Sequence, residues 1–98
     1  MEIKHSALAG TMESSDVQVM IEPSNNGIEL HLESSVLAQY GEQIEKTIRE
    51  VLENLGVSNA RLIVRDKGAL DCILRARVQT AIFRANDKVE NLPWGEML

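Results

Sequence analysis

Polar and apolar residues alternate without a break from Ile28 to Glu33. Ile28, Leu30 and Leu32 interleave with Glu29, His31 and Glu33, so an extended chain here presents one aliphatic face and one polar face. A second alternation runs from Val17 to Ile21, with Val17, Val19 and Ile21 set against Gln18 and Met20. It too predicts a strand with one buried face. Between the two, Pro23, Ser24, Asn25, Asn26 and Gly27 supply a fixed φ and residues tolerant of positive φ, which together predict an antiparallel hairpin. Leu62, Ile63 and Val64, flanked by Arg61 and Arg65, read as a third strand, left by a turn at Asp66, Lys67 and Gly68.

Elsewhere the apolar period lengthens. Val36, Leu37, Tyr40, Ile44, Ile48, Val51, Leu52 and Leu55 form one helical stripe, with Ser34 and Ser35 offering capping hydroxyls at its start. Gly41 weakens the first turns by up to about 1 kcal/mol relative to alanine, and Gly56 suits a left-handed stop. Leu70, Ile73, Leu74, Val78, Ala81, Ile82 and Ala85 define a second helix, in which Asp71 precedes Arg75 by four, a favourable order for an ion pair. After Asn86 the period stops, and residues 87–98, with Val89, Leu92, Pro93 and Trp94, read as an irregular tail. In the segment 1–16, Ala7 to Met12 predicts one more strand, with Ser14 and Ser15 near the tip of a tight reversal that exposes both hydroxyls. The economical fold is a two-layer α+β sandwich: a small, mainly antiparallel sheet, its hairpin strands first, with two helices packed on one face. Residues 1–98 form one domain.

Composition narrows the function. The 98 residues carry 10 basic and 15 acidic side chains, a net charge of −5, which disfavours nonspecific binding to nucleic-acid phosphates. Three aromatic residues, Tyr40, Phe83 and Trp94, are too few for a base-stacking platform. No membrane partner is expected, because no apolar run is long enough to span a bilayer. Without a signal-peptide pattern or a lipidation motif, the expected address is the cytoplasm. Cys72 stands alone, so it forms no internal disulfide, and no Cys/His group has metal-ligand spacing. His5 and His31 are the two histidines, one near the start of the chain and one on the predicted solvent face of a strand. Neither placement suits a serine triad. The acidic side chains lie mostly on predicted exteriors, where solvation explains them. These features describe a small α+β domain with no visible active site of its own.

Two segments carry the reading further. AGTMESSD, from Ala9 to Asp16, and DKGALDCILRAR, from Asp66 to Arg77, closely resemble the two hallmark stretches of the citrate lyase acyl carrier family, the gamma subunit of that lyase. The separation of the two segments, the order of elements between them and the late Leu92-Pro93-Trp94 agree, so the resemblance spans nearly the whole chain. It implies a carrier with no catalytic residues, the lyase activity residing in partner subunits. In that family a serine of the first segment bears, through a phosphodiester, 2'-(5''-phosphoribosyl)-3'-dephospho-coenzyme A, whose terminal thiol holds an acetyl group. By position that serine is Ser14, with the adjacent Ser15 as its competitor. The implied partners are the citrate lyase alpha and beta subunits and the transferase that installs the prosthetic group. One partner subunit exchanges acetyl for citrate and releases acetate; the other cleaves the citryl thioester to oxaloacetate.

One departure from the family pattern is informative. Glycine commonly follows the modified serine, whereas this chain has Ser15; if glycine serves a positive-φ position there, Ser15 must adopt that conformation or impose another turn type. An anchor for a long arm should be exposed and flanked by small residues, and Ala9, Gly10, Thr11 and Ser15 satisfy this. Arg61, Arg65, Lys67, Arg75 and Arg77 concentrate basic charge in an acidic chain. They suit a docking face for partner subunits, a contact with the arm's phosphates, or a solvated helix face with pairs such as Asp71 to Arg75. Two rivals stay open: the acyl carrier of a malonate decarboxylase, which uses a similar group, and an interaction module that carries no cofactor. A fatty-acid carrier fits less well, because that class is a helical bundle.

Overall fold

The computed structural model describes residues 1–34 and 37–86. The elements run β1 (Ala7–Gly10), β2 (Val17–Glu22), β3 (Ile28–Ser34), α1 (Leu37–Asn54), β4 (Ala60–Asp66) and α2 (Asp71–Asn86). The four strands form one sheet in the order β1-β2-β4-β3. β1 pairs antiparallel with β2, β2 antiparallel with β4, and β3 parallel with β4. The two-layer α+β fold and both helices are therefore as expected, and so is the extra strand preceding Val17.

The expected hairpin between Val17–Ile21 and Ile28–Leu32 does not form. β4 lies between those two strands. Period-2 alternation marks which face of a strand is buried and carries no information about its neighbour. The Pro23–Gly27 segment turns the chain, yet Gly27 bonds to the start of β4: its N–H donates to Asn59 Oδ1 (3.0 Å) and its carbonyl accepts from Ala60 N (3.0 Å). β3, α1 and β4 thus make a strand–helix–strand crossover, the connection that parallel neighbours require. The hairpin of this fold is β1–β2, and its connection is Thr11 to Asp16.

Cross-strand register stacks the apolar residues in rows. Ala9, Val19, Val64 and Leu32 form one row, and Ala7, Ile21, Leu62 and Leu30 the next. Val17, Val19, Ile21, Leu62 and Val64 are fully buried, each contributing on the order of 2 kcal/mol by leaving water. The third row is Val17, Asp66 and Ser34. Here a carboxylate sits on the core face, and it is tolerated because Ser34 Oγ (2.8 Å) and Ala69 N (3.0 Å) donate to it,. Ser34 is thus the last residue of β3; capping of α1 by Ser35 lies outside the described residues.

α1 ends as the sequence predicts. Gly56 has φ 67°, its N–H donates to the Glu53 carbonyl (3.0 Å), and Val57 N donates to the Leu52 carbonyl (2.9 Å). These are the paired bonds of a Schellman cap, sealed by contact between core residues Leu52 and Val57,. On α2, Leu74, Val78, Ala81, Ile82 and Ala85 are buried. Leu70, expected on that stripe, is 70% exposed. It precedes the helix, and its carbonyl accepts the Leu74 N–H (3.0 Å) in the manner of an N-cap. Gln79 is fully buried, and among the described residues neither polar atom of its amide has a partner. The expected irregular tail, 87–98, lies outside the described residues.

Candidate functional site

The connection from β1 to β2 is where the two hallmark segments meet. Gly10 opens it with φ 83°. A Cβ placed there would stand 1.8 Å from the Val17 carbonyl oxygen and 3.2 Å from Arg77 Cδ, so only glycine lets the two hairpin strands close this tightly. The Thr11 side chain then turns back toward Asp16. Its hydroxyl donates to Asp16 Oδ2 (2.6 Å) and accepts from Glu13 N (3.2 Å). Asp16 N donates to the Glu13 carbonyl (3.1 Å), closing a four-residue turn with Ser14 and Ser15 at its two central positions.

Ser15 has φ 65° and is the one non-glycine residue with positive φ among the described residues. That sign at the third residue of a turn is what type II geometry demands. Ser15 therefore adopts the positive-φ conformation of this turn, at about 1–2 kcal/mol for a residue with a Cβ,. Part of that strain is met by a tie to β4: Ser15 N donates to the Lys67 carbonyl (2.8 Å), and Lys67 N donates to the Asp16 carbonyl (2.9 Å). Residues 11–15 are all exposed. Neither serine hydroxyl makes a hydrogen bond among the described residues, whereas the Thr11 hydroxyl is engaged twice.

Asp16 organises the turn, a role its position between a loop and a strand did not disclose. Its carboxylate accepts from the Thr11 hydroxyl, from Val17 N (2.7 Å), and from Arg77 Nε and Nη2 (both 3.1 Å), the last two as a bidentate pair. The Thr11 bond, the Val17 N–H and the Arg77 guanidinium together lower its pKa from 3.8 to about 2, against an opposing effect of burial,. The available signal was spacing: the first hallmark ends in an acid and the second in Arg77, and only the fold brings them together.

The five basic residues do not form one patch. Arg61 and Arg65 lie on β4, paired with Glu22 (3.7 Å) and Glu33 (3.1 Å). Arg75 and Arg77 are two apart on α2, a spacing that sends them to different sides. Arg75 binds Asp71 (2.7 Å) and, across the helix pair, Glu50 of α1 (2.8 Å). The fully buried Thr47 of α1 donates to the other Asp71 oxygen (2.7 Å). Arg75 and then Thr47 lower the Asp71 pKa, while Asp71 and then Glu50 raise that of Arg75. Arg77 holds Asp16. Lys67 is exposed and makes no ion pair among the described residues.

Of the two histidines, His31 Nε2 faces Glu33 (3.4 Å) and His5 Nδ1 faces the Ser6 carbonyl (3.0 Å). Cys72 is exposed. Among the described residues no three His, Cys, Asp or Glu side chains are placed to hold a metal ion, and no helix is long and apolar enough to cross a membrane.

Comparison with known proteins places the chain in a family. Residues 4–85 match the acyl carrier family model described as "Malonate decarboxylase delta subunit (MdcD)". The citrate lyase acyl carrier protein of Haemophilus influenzae strain PittEE is 53% identical over 98 residues, covering 100% of both chains. That of Vibrio cholerae serotype O1 is 50% identical, covering 99% of each. Among solved structures, a chain of a Pseudomonas malonate decarboxylase hetero-tetramer in complex with malonate superposes with a TM-score of 0.73 at 20% identity, covering 85% of this chain and 86% of that one. At that identity the likeness speaks for the fold alone. With a family model over most of its length and full-length relatives at half identity or more, this chain belongs to the citrate lyase acyl carrier protein family.

Proposed function

We propose that this chain is the acyl carrier subunit of citrate lyase and that Ser14 is the residue on which its prosthetic group is mounted. The observation that carries the reading is the 53% identity over the full length of a citrate lyase acyl carrier protein. Ser14 is preferred over Ser15 because it occupies the free corner of the turn. Ser15 spends its N–H on Lys67 and its backbone on the positive-φ position. The residues present suit 2'-(5''-phosphoribosyl)-3'-dephospho-coenzyme A: an exposed hydroxyl, small neighbours, and an unspent ammonium on the adjoining strand end. When bound, that group supplies a thiol on a long flexible arm. The protein's own part is to hold the anchor rigid and clear of bulk. In this reading the transferase recognises the turn, and bond making and breaking belong to the alpha and beta subunits. Tethering gives the cargo an effective concentration of order mM at each site the arm can reach.

The carrier of a malonate decarboxylase remains the rival, favoured by the family model and by the TM-score of 0.73. It ranks second because identity falls from 53% to 20% between the two comparisons. Intact mass with peptide mapping, on protein from cells that make the attachment enzymes, tests the anchor. The expected result is one phosphoribosyl dephospho-coenzyme A increment on the peptide containing Ser14, lost in Ser14→Ala and kept in Ser15→Ala. Citrate cleavage at full rate by the Ser14→Ala carrier, without any adduct, would refute it. Mixing the modified carrier with citrate lyase or malonate decarboxylase subunits then separates the two carriers. Docking through Arg61 and Arg65, the basic residues on the sheet's outer face, is tested in the same mixtures: their double reversal to Glu should weaken assembly if they dock.

A further inference from the structure

We propose that Lys67 pairs with the phosphodiester on Ser14 and thereby sets the direction in which the arm leaves the protein. The inference rests on the reading of Ser14 as the anchor. A phosphodiester there adds a negative charge next to Glu13, in a turn whose other acid, Asp16, is already matched by Arg77. An unmatched like-charge pair at such separations is unfavourable, so a nearby cation with nothing else to bind is called for. Among the described residues, Arg61, Arg65, Arg75 and Arg77 are each held by a carboxylate. Arg84 donates to the Leu8 carbonyl (2.7 Å) and lies two helical turns beyond Arg77, about 10 Å along the axis. Lys4 is bonded through its N–H to Ala85 (3.0 Å), at that same far end of α2.

Lys67 alone joins an unspent charge to the right place. Its main chain is fastened to the turn in both directions, by Ser15 N to its carbonyl and by its own N–H to Asp16. Lys67 and Met12 of the connection line the same shallow surface depression of about 260 Å³. A lysine also suits the task chemically. Its ammonium is a mobile point charge with three donors, able to follow a phosphate whose attached arm swings, where a bidentate arginine would fix one geometry.

The test is NMR of the lysine side-chain resonances in the unmodified and the modified full chain, with the other lysines as internal references. Modification should displace the Lys67 side-chain resonances at low ionic strength. Most of that displacement should vanish in high salt, and the other lysines should not move. In parallel, Lys67→Gln should displace the phosphorus resonance of the modified protein and remove its salt dependence, and Lys67→Arg should largely restore both. A confirmed adduct on Ser14 with an unmoved Lys67, or with all lysines moving equally, overturns this proposal and leaves the anchor standing. Absence of any adduct on Ser14 overturns both.

Discussion

Asp16→Asn isolates the charge at the centre of the Thr11–Asp16 turn. Asparagine keeps an oxygen for Val17 N but gives up the anion that Arg77 and the Thr11 hydroxyl address. The wild-type carboxylate titrates at about 2 instead of its ordinary 3.8, which at 1.36 kcal/mol per pH unit corresponds to about 2.4 kcal/mol as an upper bound. The side chain is 14% exposed and its partner Arg77 is 40% exposed, so solvent screening brings the expected cost nearer 1–2 kcal/mol at neutral pH. For a domain this size that is a fall in Tm of about 5–15 °C. Because the folded-state pKa is depressed, this stabilisation is complete above about pH 4 and is lost as pH falls through about 2,. Urea unfolding of both proteins at a series of pH values measures the difference directly. The gap between them should hold from pH 7 to pH 5 and shrink to roughly one sixth of its neutral value by pH 2. Equal midpoints at pH 7, or a gap undiminished at pH 2, would refute the claim that the carboxylate's charge organises the turn.

Three further changes follow from neighbouring observations. Gly10→Ala drives a Cβ to 1.8 Å from the Val17 carbonyl at a φ of +83°; a loss of about 3 kcal/mol or more is expected, read as a lowered thermal midpoint by circular dichroism. Ser15→Gly relieves the left-handed strain of about 1–2 kcal/mol and returns about 0.4–1 kcal/mol to the entropy of the unfolded chain. The net expectation is a gain of up to about 1.5 kcal/mol in urea, with any adduct still on Ser14. Gln79→Met replaces a fully buried amide lacking partners among the described residues with an apolar chain of similar length and should stabilise by about 1 kcal/mol; a lowered urea midpoint would refute this.

What was legible in the sequence was whatever depends on period and local chemistry. Ile28 to Glu33 announced a strand by alternation, Ile44 to Leu52 a helix by its stripe, and Gly56 the end of that helix. The partner of each strand was not legible. Asn26-Gly27 is a hairpin signal, yet β4 takes the place beside β2. The deciding quantity is burial: Leu62 and Val64 are fully enclosed while Leu30 and Leu32 are only half-buried, so β4 occupies the centre of the sheet and β3 its edge. The site divides in the same way. The exposure of the turn serines followed from small, polar residues between two strand patterns. The clamp of Asp16 by Arg77 spans 61 positions, and no local rule pairs residues so far apart. Arg75 and Arg77, read together as one basic feature, separate into an interhelical brace and a turn clamp because two positions along a helix is more than half a revolution.

The double fastening of the Thr11–Asp16 connection, to the end of β4 and to the middle of α2, fixes the origin of any tether rooted at Ser14. Freedom of travel then begins outside the polypeptide, beyond the held end of the tether, and the body of the domain acts as a stationary post. Any site served from this post must then lie within one tether length of a single point, and backbone motion in the loop adds nothing to that reach.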